Sequence, residues 1–479
     1  MTIVTKKARS FSKRSHDSQP QSYDEVLDKD TRPVPAYVRK FGEQLIPGPC
    51  EVPVRWYTDR GIYEAEIESI WKRKWQMACR LEHVAAVGDT HVYDVAGLSF
   101  IIVRVSQEVI KGYWNSCLHR GVPLRQRSGR VERLQCPFHG FMWGLNGKCL
   151  MVPHPEEFPH INREKFSLPE VQVAVWQGFV FINPDLQAQS LESYIDGLDA
   201  GFSVFPFTRR EIVVHIMKIF PANWKALQEA FLESFHVLTT HPQFATSQAA
   251  DRCTTFGALG NVSRGIVSLG QTSDYVPYTP DEQEIFRALN EFWDDEEHSQ
   301  DWALPDGVSA RQAYAERART ALRVLLGSAI DGVSDAELVD IFYYTVFPNF
   351  NPYGGFAAPM VYRFLPYGND PEKSVMELMF LRPISAGAEP REPPKPIWLS
   401  EDQEFATVEE LGSFGAFVSQ DSDNLRGIMK GLRNSRTGIV NFARNYESKI
   451  RHFYSLYEEA MGLSAAEEVA ALKASGKRG

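Results

Sequence analysis

The chain has 479 residues, 43% hydrophobic, 12% aromatic and 23% charged, with a formal net charge of −10. That is about three times the usual single-domain length of roughly 150 residues, with the composition of a packed globular protein rather than a disordered or collagen-like one. The acidic balance argues against nucleic-acid binding, and no run approaches the roughly 20 apolar residues that cross a bilayer.

Residues 1–45 lack periodicity and are expected to form a flexible N-terminal arm. Their basic start (Lys6, Lys7, Arg9) is followed by no apolar signal segment. The six cysteines are too few for a disulfide-built scaffold, so a reducing cytoplasm is the expected setting. Tyr63, Ile67, Ile70, Trp71 and Trp75 recur at helical spacing and predict one helix from Tyr57 to Cys79. His91–Val105, broken at Ala96-Gly97, and Phe141–Val152, turning at Asn146-Gly147, read as hairpins. Val171–Phe181 reads as one more strand. A small β domain is therefore placed at 46–180.

The remainder alternates. Strands are expected at Glu211–Phe220, Leu338–Phe347, Met360–Leu365 and Ser374–Leu381. Helices are expected at Asn223–Leu238, Ser309–Leu326, Asp402–Leu411, Asn424–Leu432 and Val440–Met461. Ser309-x-x-Gln312 and Ser400-x-x-Gln403 have the form of capping boxes. The acidic run Asp294–Glu297 reads as a solvated loop. Strands grouped between helices predict an α+β fold, with a larger domain at 181–465 and a flexible tail at 466–479.

Two constellations carry chemistry. The first is Cys117-Leu-His119 followed by Cys136-Pro-Phe-His139-Gly140. Each half offers a thiolate and an imidazole beside turn-forming residues, which is the donor set of a Rieske [2Fe–2S] centre. A four-ligand zinc site would use the same atoms, although one residue between Cys117 and His119 is tighter than the usual zinc pair. The other cysteines show no partner pattern.

The second constellation is Glu229, Glu233, His236 and His241. On an ideal helix the first three share a face, while His241 lies about 140° from His236. A helix ending near Thr239-Thr240, helped by Pro242, would bring the imidazoles together. Two histidines and one carboxylate form the open-sided site of non-haem Fe(II) oxygenases. The carboxylate need not be local: Gln420-Asp421-Ser-Asp-Asn424 offers Asp421 in preference to Asp423.

Taken together, Cys-x-His-Arg-Gly, Cys-Pro-x-His-Gly, Asn-Trp-Lys, Glu-x-x-His-x4-His and the late Gln-Asp-x-x-Asn resemble the α subunits of Rieske non-haem iron oxygenases over roughly residues 45–455. Phe347-Pro348-Asn349 and Arg363 add to the likeness. The resemblance implies an all-β Rieske domain followed by a catalytic domain whose antiparallel sheet is flanked by helices in a helix-grip arrangement. It implies that Cys117, His119, Cys136 and His139 hold a [2Fe–2S] cluster. His236, His241 and Asp421 would then hold a mononuclear iron, with Glu233 bridging the two sites where the family usually has aspartate. Ala230 stands where many members have asparagine. Val122 and Phe138 stand where respiratory Rieske proteins carry further cysteines, and Phe141 replaces a serine, which implies a low potential.

The implied activity is that of a terminal oxygenase. It takes electrons from NAD(P)H through a reductase, with or without a ferredoxin, and hydroxylates or dihydroxylates an apolar, aromatic substrate with O2. Monohydroxylation and oxidative demethylation use the same metals. An electron-transfer protein with an inert second domain is the rival of another class. A homotrimer, or three α with three small β subunits, is the implied assembly. Phe231, Phe235, Leu238 and Phe342–Phe347 are candidate pocket walls, and residues 242–308 are expected to cover the entrance.

Overall fold

Residues 76–183 carry short β-branched and aromatic runs broken by glycine turns, and they build a seven-stranded antiparallel sheet. Its order is Gln76–Arg80, Phe179–Asn183, Glu170–Trp176, Ile110–Trp114, Leu98–Arg104, Asp89–Val95 and Gly129–Arg130. A three-stranded sheet of Leu134–Gln135, Met142–Trp143 and Cys149–Met151 lies beyond it. The structure, a computed structural model, describes residues 22–43, 46–251, 254–290, 303–385, 387–388 and 391–475. The acidic run Asp294–Glu297, Cys253 and residues 1–21 of the expected arm lie outside them.

The hairpin at Ala96-Gly97 forms as expected, with Val95 opposite Leu98. Val171–Phe181 is not one strand: Gln177 and Gly178 both take positive φ and fold it into a hairpin, Trp176 opposite Phe179. The helix expected over Tyr57–Cys79 stops at Trp71, after Arg55–Thr58, Arg60–Glu66 and a wider turn Ile67–Trp71. Gln76–Arg80 is then a fully buried strand. A strand buried on both faces loses the alternation that would distinguish it from a helix.

The larger sheet has eight strands in the order Thr254–Leu259, Val262–Val267, Ile341–Val346, Phe350–Gly354, Met360–Tyr367, Asp370–Pro383, Arg210–Phe220 and Ile397–Leu399. Every pairing is antiparallel except the last. Helix Ala310–Leu326 begins at the Ser309 capping box. The Ser400 box does not form: Ser400 N–H donates to Gln403 Oε1, but only short 3₁₀ turns follow, at Phe405–Thr407 and Glu409–Leu411. The helix expected from Asn424 starts earlier and spans Ser413–Arg433. Val440–Met461 divides into strand Ile439–Asn441 and helix Ser448–Met461. The fold is thus α+β, a β domain preceding a sheet flanked by helices. No helix among the described residues is long and apolar enough to cross a membrane.

The described parts of the two segments expected to be flexible, 22–43 and 466–475, are packed on the rest of the chain. Residues 465–474 form a helix whose Glu468 pairs with Arg55 at 2.6 Å. Ala465 joins Trp56, Trp71, Phe453 and Tyr457 in one apolar cluster. From Ser22 onward the arm is docked by polar side chains. Tyr23 donates to Asp340 at 2.8 Å, and Thr31 donates its N–H and hydroxyl to Asp335 at 2.7 and 2.8 Å. Tyr37 donates to Glu337. Such contacts leave no hydrophobic period to read.

The Asp340 carboxylate has no exposed side-chain surface and is gripped by both Arg311 Nη atoms at 2.5 and 2.9 Å. Leu269 N–H also donates to it. Removing one member of such a pair strands the other charge in the interior, at a cost of about 3–5 kcal/mol. Asp340→Ala is therefore expected to lower the unfolding free energy by about that amount in urea titration. A loss under about 1 kcal/mol would show that Asp30, 3.4 Å from Arg311, or water takes over its charge.

Candidate metal centres

In the β domain, Cys117 and Cys136 follow strands and open two loops with the same hydrogen-bond pattern. Cys117 N–H donates to Val122 O at 2.9 Å and Gly121 N–H to Cys117 O at 2.9 Å. Cys136 N–H donates to Phe141 O at 2.8 Å and Gly140 N–H to Cys136 O at 3.1 Å. Gly121 and Gly140 both have φ of +80°, a conformation that side chains with a Cβ rarely adopt, so each loop closes tightly at a glycine. Both thiols are buried, and the His119 and His139 ring centroids lie 4.7 Å apart.

His119 stacks on Phe141, and its buried Nδ1 has no partner. A buried imidazole nitrogen without a partner is an expected consequence of a ligand position. No three of these donors lie within 4.8 Å of one another, among the described residues, as ligands of one zinc ion would. The donors therefore fit a binuclear cluster better than a single ion.

In the larger domain, helix Trp224–Glu229 ends seven residues before His236, so Glu229, Glu233 and His236 do not share a helical face as the ideal spacing suggested. A single turn, Val237–Thr240, separates the imidazoles, and His241 takes φ −124° and ψ 55° ahead of Pro242. The helix break and Pro242 together bring the rings to 5.3 Å between centroids. Asp421 arrives from the middle of helix Ser413–Arg433, while the side chain of Asp423 is 78% exposed. One donor atom each from His236, His241 and Asp421 lies within 4.8 Å of the others, the one such group among the described residues.

Hydrogen bonds fix which nitrogen faces the site. His236 Nδ1 lies 2.6 Å from Glu233 Oε1, and His241 Nδ1 lies 2.7 Å from Gln420 Oε1. With each Nδ1 donating, each Nε2 presents a lone pair, and Asp421 Oδ1 lies 2.9 Å from that of His241 and 3.5 Å from that of His236. Converging acceptors at such distances fit a shared cation. Gln420 was not singled out as an orienting residue. Its only sequence signal is adjacency to Asp421, since nothing local shows that it meets His241 across 179 positions.

A cavity of about 110 Å³ adjoins these donors. Phe231, Tyr343, Tyr353, Tyr362, Phe414 and Phe417 supply its aromatic walls, with Ser234, Ser247 and Gln248 among its few polar groups. No lysine or arginine lines it among the described residues. Of the walls expected from sequence, Phe231 and Tyr343 are present. Phe235 is instead 42% exposed and stacks on Tyr446, and Leu238 is buried elsewhere. Within residues 242–308, Phe244, Val267, Leu269, Ala288 and Leu289 contribute to the lining. Arg363 stands apart, pairing with Glu377 and donating to the carbonyls of Met77 and Ala78, which ties the two domains together.

A two-domain chain with these paired loops and this facial triad of donors has the architecture of the Rieske class. Residues 74–172 match the Rieske [2Fe-2S] domain, and residues 201–463 match the ring hydroxylating alpha subunit (catalytic domain). The second match takes in more than half of the chain, which therefore belongs to the ring-hydroxylating α-subunit family. It is 30% identical over 209 residues to the carnitine monooxygenase oxygenase subunit of Escherichia coli K12, covering 42% of this chain and 54% of that protein. The chain thus spans about half the length of the curated relatives it matches. The fold resembles a quaternary ammonium Rieske monooxygenase structure (TM-score 0.60, 19% identity, 87% of this chain and 96% of that one). It also resembles a naphthalene 1,2-dioxygenase bound to phenanthrene (TM-score 0.61, 17% identity, 91% and 98%). The cofactors that go with this family are a [2Fe–2S] cluster and a mononuclear iron.

Iron analysis is expected to give about three Fe per wild-type chain and about two for His241→Ala, which keeps its visible absorption. Cys117→Ser loses that absorption. Unchanged iron content in His241→Ala would remove it from the ligand set.

Proposed function

We propose that the chain is the terminal oxygenase of a multicomponent system in the cytoplasm, hydroxylating an apolar, aromatic substrate with O2. The observation that carries this reading is the convergence of His236, His241 and Asp421 beside an aromatic-walled cavity. An electron-transfer protein would need neither. When bound, the cluster supplies one-electron storage and the mononuclear iron supplies the open coordination positions at which O2 is reduced.

The chain's own residues do the rest. Glu233 and Gln420 hold the two imidazoles by their Nδ1 atoms, so that each Nε2 points inward. Glu233 also folds back on its own loop: its Oε2 accepts the His236 N–H at 3.0 Å. That loop closure makes Glu233 both the orienter of His236 and the carboxylate suited to bridge the two metal sites. The aromatic walls exclude water and hold a flat substrate against their faces. Electrons come from NAD(P)H through a separate reductase, with or without a ferredoxin, and the assembly is a homotrimer or three α with three small β subunits.

A second reading is monooxygenation of a quaternary ammonium compound, as the names of the carnitine and quaternary ammonium monooxygenases suggest; oxidative N-demethylation would use the same metals. The aromatic faces of Phe231, Tyr343, Tyr353 and Tyr362 beside Glu233 and Asp421 favour it, because such faces and carboxylates attract a cation.

Product analysis with reduced holoenzyme, supplied in air with arenes, aryl ethers and methylated amines, tests both readings. Arene diols or phenols support the first, and aldehyde release from methylated amines the second. Glu233→Gln is expected to retain both metals and lose about 100-fold in turnover. Turnover at the wild-type rate would refute its role.

A further inference from the structure

A second cavity, of about 190 Å³, shares Ala230, Glu233, His236 and Asp421 with the aromatic pocket. Its own walls include Glu229, Thr240, Asn424 and Glu447. Its lining mixes carboxylates with apolar side chains such as Leu425, Ile428 and Phe442, and it has room for several waters. Glu229 closes the C-terminal end of helix Trp224–Glu229. Its Oε1 accepts from Tyr57 at 2.8 Å and from Tyr454 at 2.5 Å, and the two hydroxyls are 2.7 Å apart. The tyrosines come from helices Arg55–Thr58 and Ser448–Met461, so three separate elements hold one carboxyl. No hydrogen bond among the described residues joins Glu229 to His236, His241 or Asp421.

The charges around it are uneven. Lys225, on the same helix, is engaged by Glu66, which also accepts from Tyr457 at 2.7 Å. Facing Glu229 across the cavity are Glu447 at the start of Ser448–Met461, Glu233 and His236 from the loop, and Asp421 from Ser413–Arg433. Burial raises the Glu229 carboxyl to about 7, against the lowering effect of the tyrosine hydrogen bonds and of Lys225. Near neutrality it is therefore half occupied by a proton.

We propose that Glu229, braced by Tyr57 and Tyr454, stores a proton and releases it into the cavity beside Glu233 and His236 during turnover. This rests on the oxygenase reading. In that chemistry substrate, O2, a pair of electrons from the reductase and a pair of protons give either a hydroxylated product and water, or a diol. Glu229 supplies one of those protons, becomes the carboxylate that the tyrosine hydroxyls stabilise, and is reprotonated from solvent through the cavity. Glu229 lines this cavity and not the aromatic pocket, so it acts through the cavity rather than on the reacting atoms.

Infrared pH-difference spectra of the resting holoenzyme test the store without turnover. A carboxylic-acid C=O band is expected to titrate near pH 7 and to be absent from Glu229→Gln. Tyr454→Phe removes a donor to the ionised form and so moves the band's titration to higher pH. In turnover, Glu229→Gln is expected to lose about 100-fold in kcat with little change in KM, and to lose the fall in rate as pH rises through 7. A band that persists in Glu229→Gln, or a wild-type pH profile in that variant, overturns the proposal. Should Glu229→Gln fail to load iron, an unmoved band in Tyr454→Phe overturns it equally. Absence of any product from wild-type enzyme is a failure of the oxygenase reading instead, and leaves the resting-state titration standing.

Discussion

Donors from two stretches of chain about 180 residues apart must meet within a few ångströms, and the seating of helix Ser413–Arg433 on the large sheet makes them do so. Phe414, Val418, Leu425 and Met429 are buried in the same cluster as Ile216, Phe364 and Leu378 of the sheet. Each such side chain contributes roughly 1.5–3 kcal/mol when fully buried. Gly415 permits the approach: a Cβ there would stand 2.7 Å from the Phe405 carbonyl oxygen. The seating energy is large enough to hold Asp421 beside two imidazoles, with only 6% of its side chain exposed. Rotating the helix by one residue, about 100°, would carry Asp421 away and put Ser422 nearer its place.

The same helix also carries the orienting group. Gln420 precedes Asp421, so the contacts that place one candidate donor place the partner of another, and Gln243 donates to the same amide oxygen at 3.0 Å. On the opposite side Glu233 is fixed by the backbone of its own loop. The imidazoles are thus held from two independent directions, through side chains whose positions depend on packing outside the pocket. Cavity walls from other elements, such as Val267, Leu289 and Tyr343, could vary without loosening these supports, whereas Phe414 belongs to both.

Motifs whose meaning is local were legible in the sequence. The two Cys/His loops repeat one backbone pattern within a few residues each, and the hairpin turns carry their own glycines. The arrival of Asp421 was legible as a motif but not as a position within a helix. Ser413, Gly415, Ser419, Ser422 and Asp423 are weak helix formers, and tertiary contacts override that preference. The converse error occurred at 230–236, where Ala, Phe, Leu and Glu read as helix. There Ser234, Glu233 and the demands of the site interrupt it. The docking of Tyr23, Thr31 and Tyr37 could not be foreseen, because hydrogen bonds to carboxylates some 300 residues later leave no periodic trace.

The interlocking of early and late segments bears on how the molecule is made. Glu51–Pro53 pairs with Ile439–Asn441, and Trp56, Tyr57 and Trp71 are covered by Phe453, Tyr454 and Tyr457. During synthesis those early aromatic side chains emerge long before the residues that cover them. The nascent chain therefore carries an uncovered aromatic surface through most of its translation, which makes it a natural client for chaperones and a source of inclusion bodies when expression outruns them.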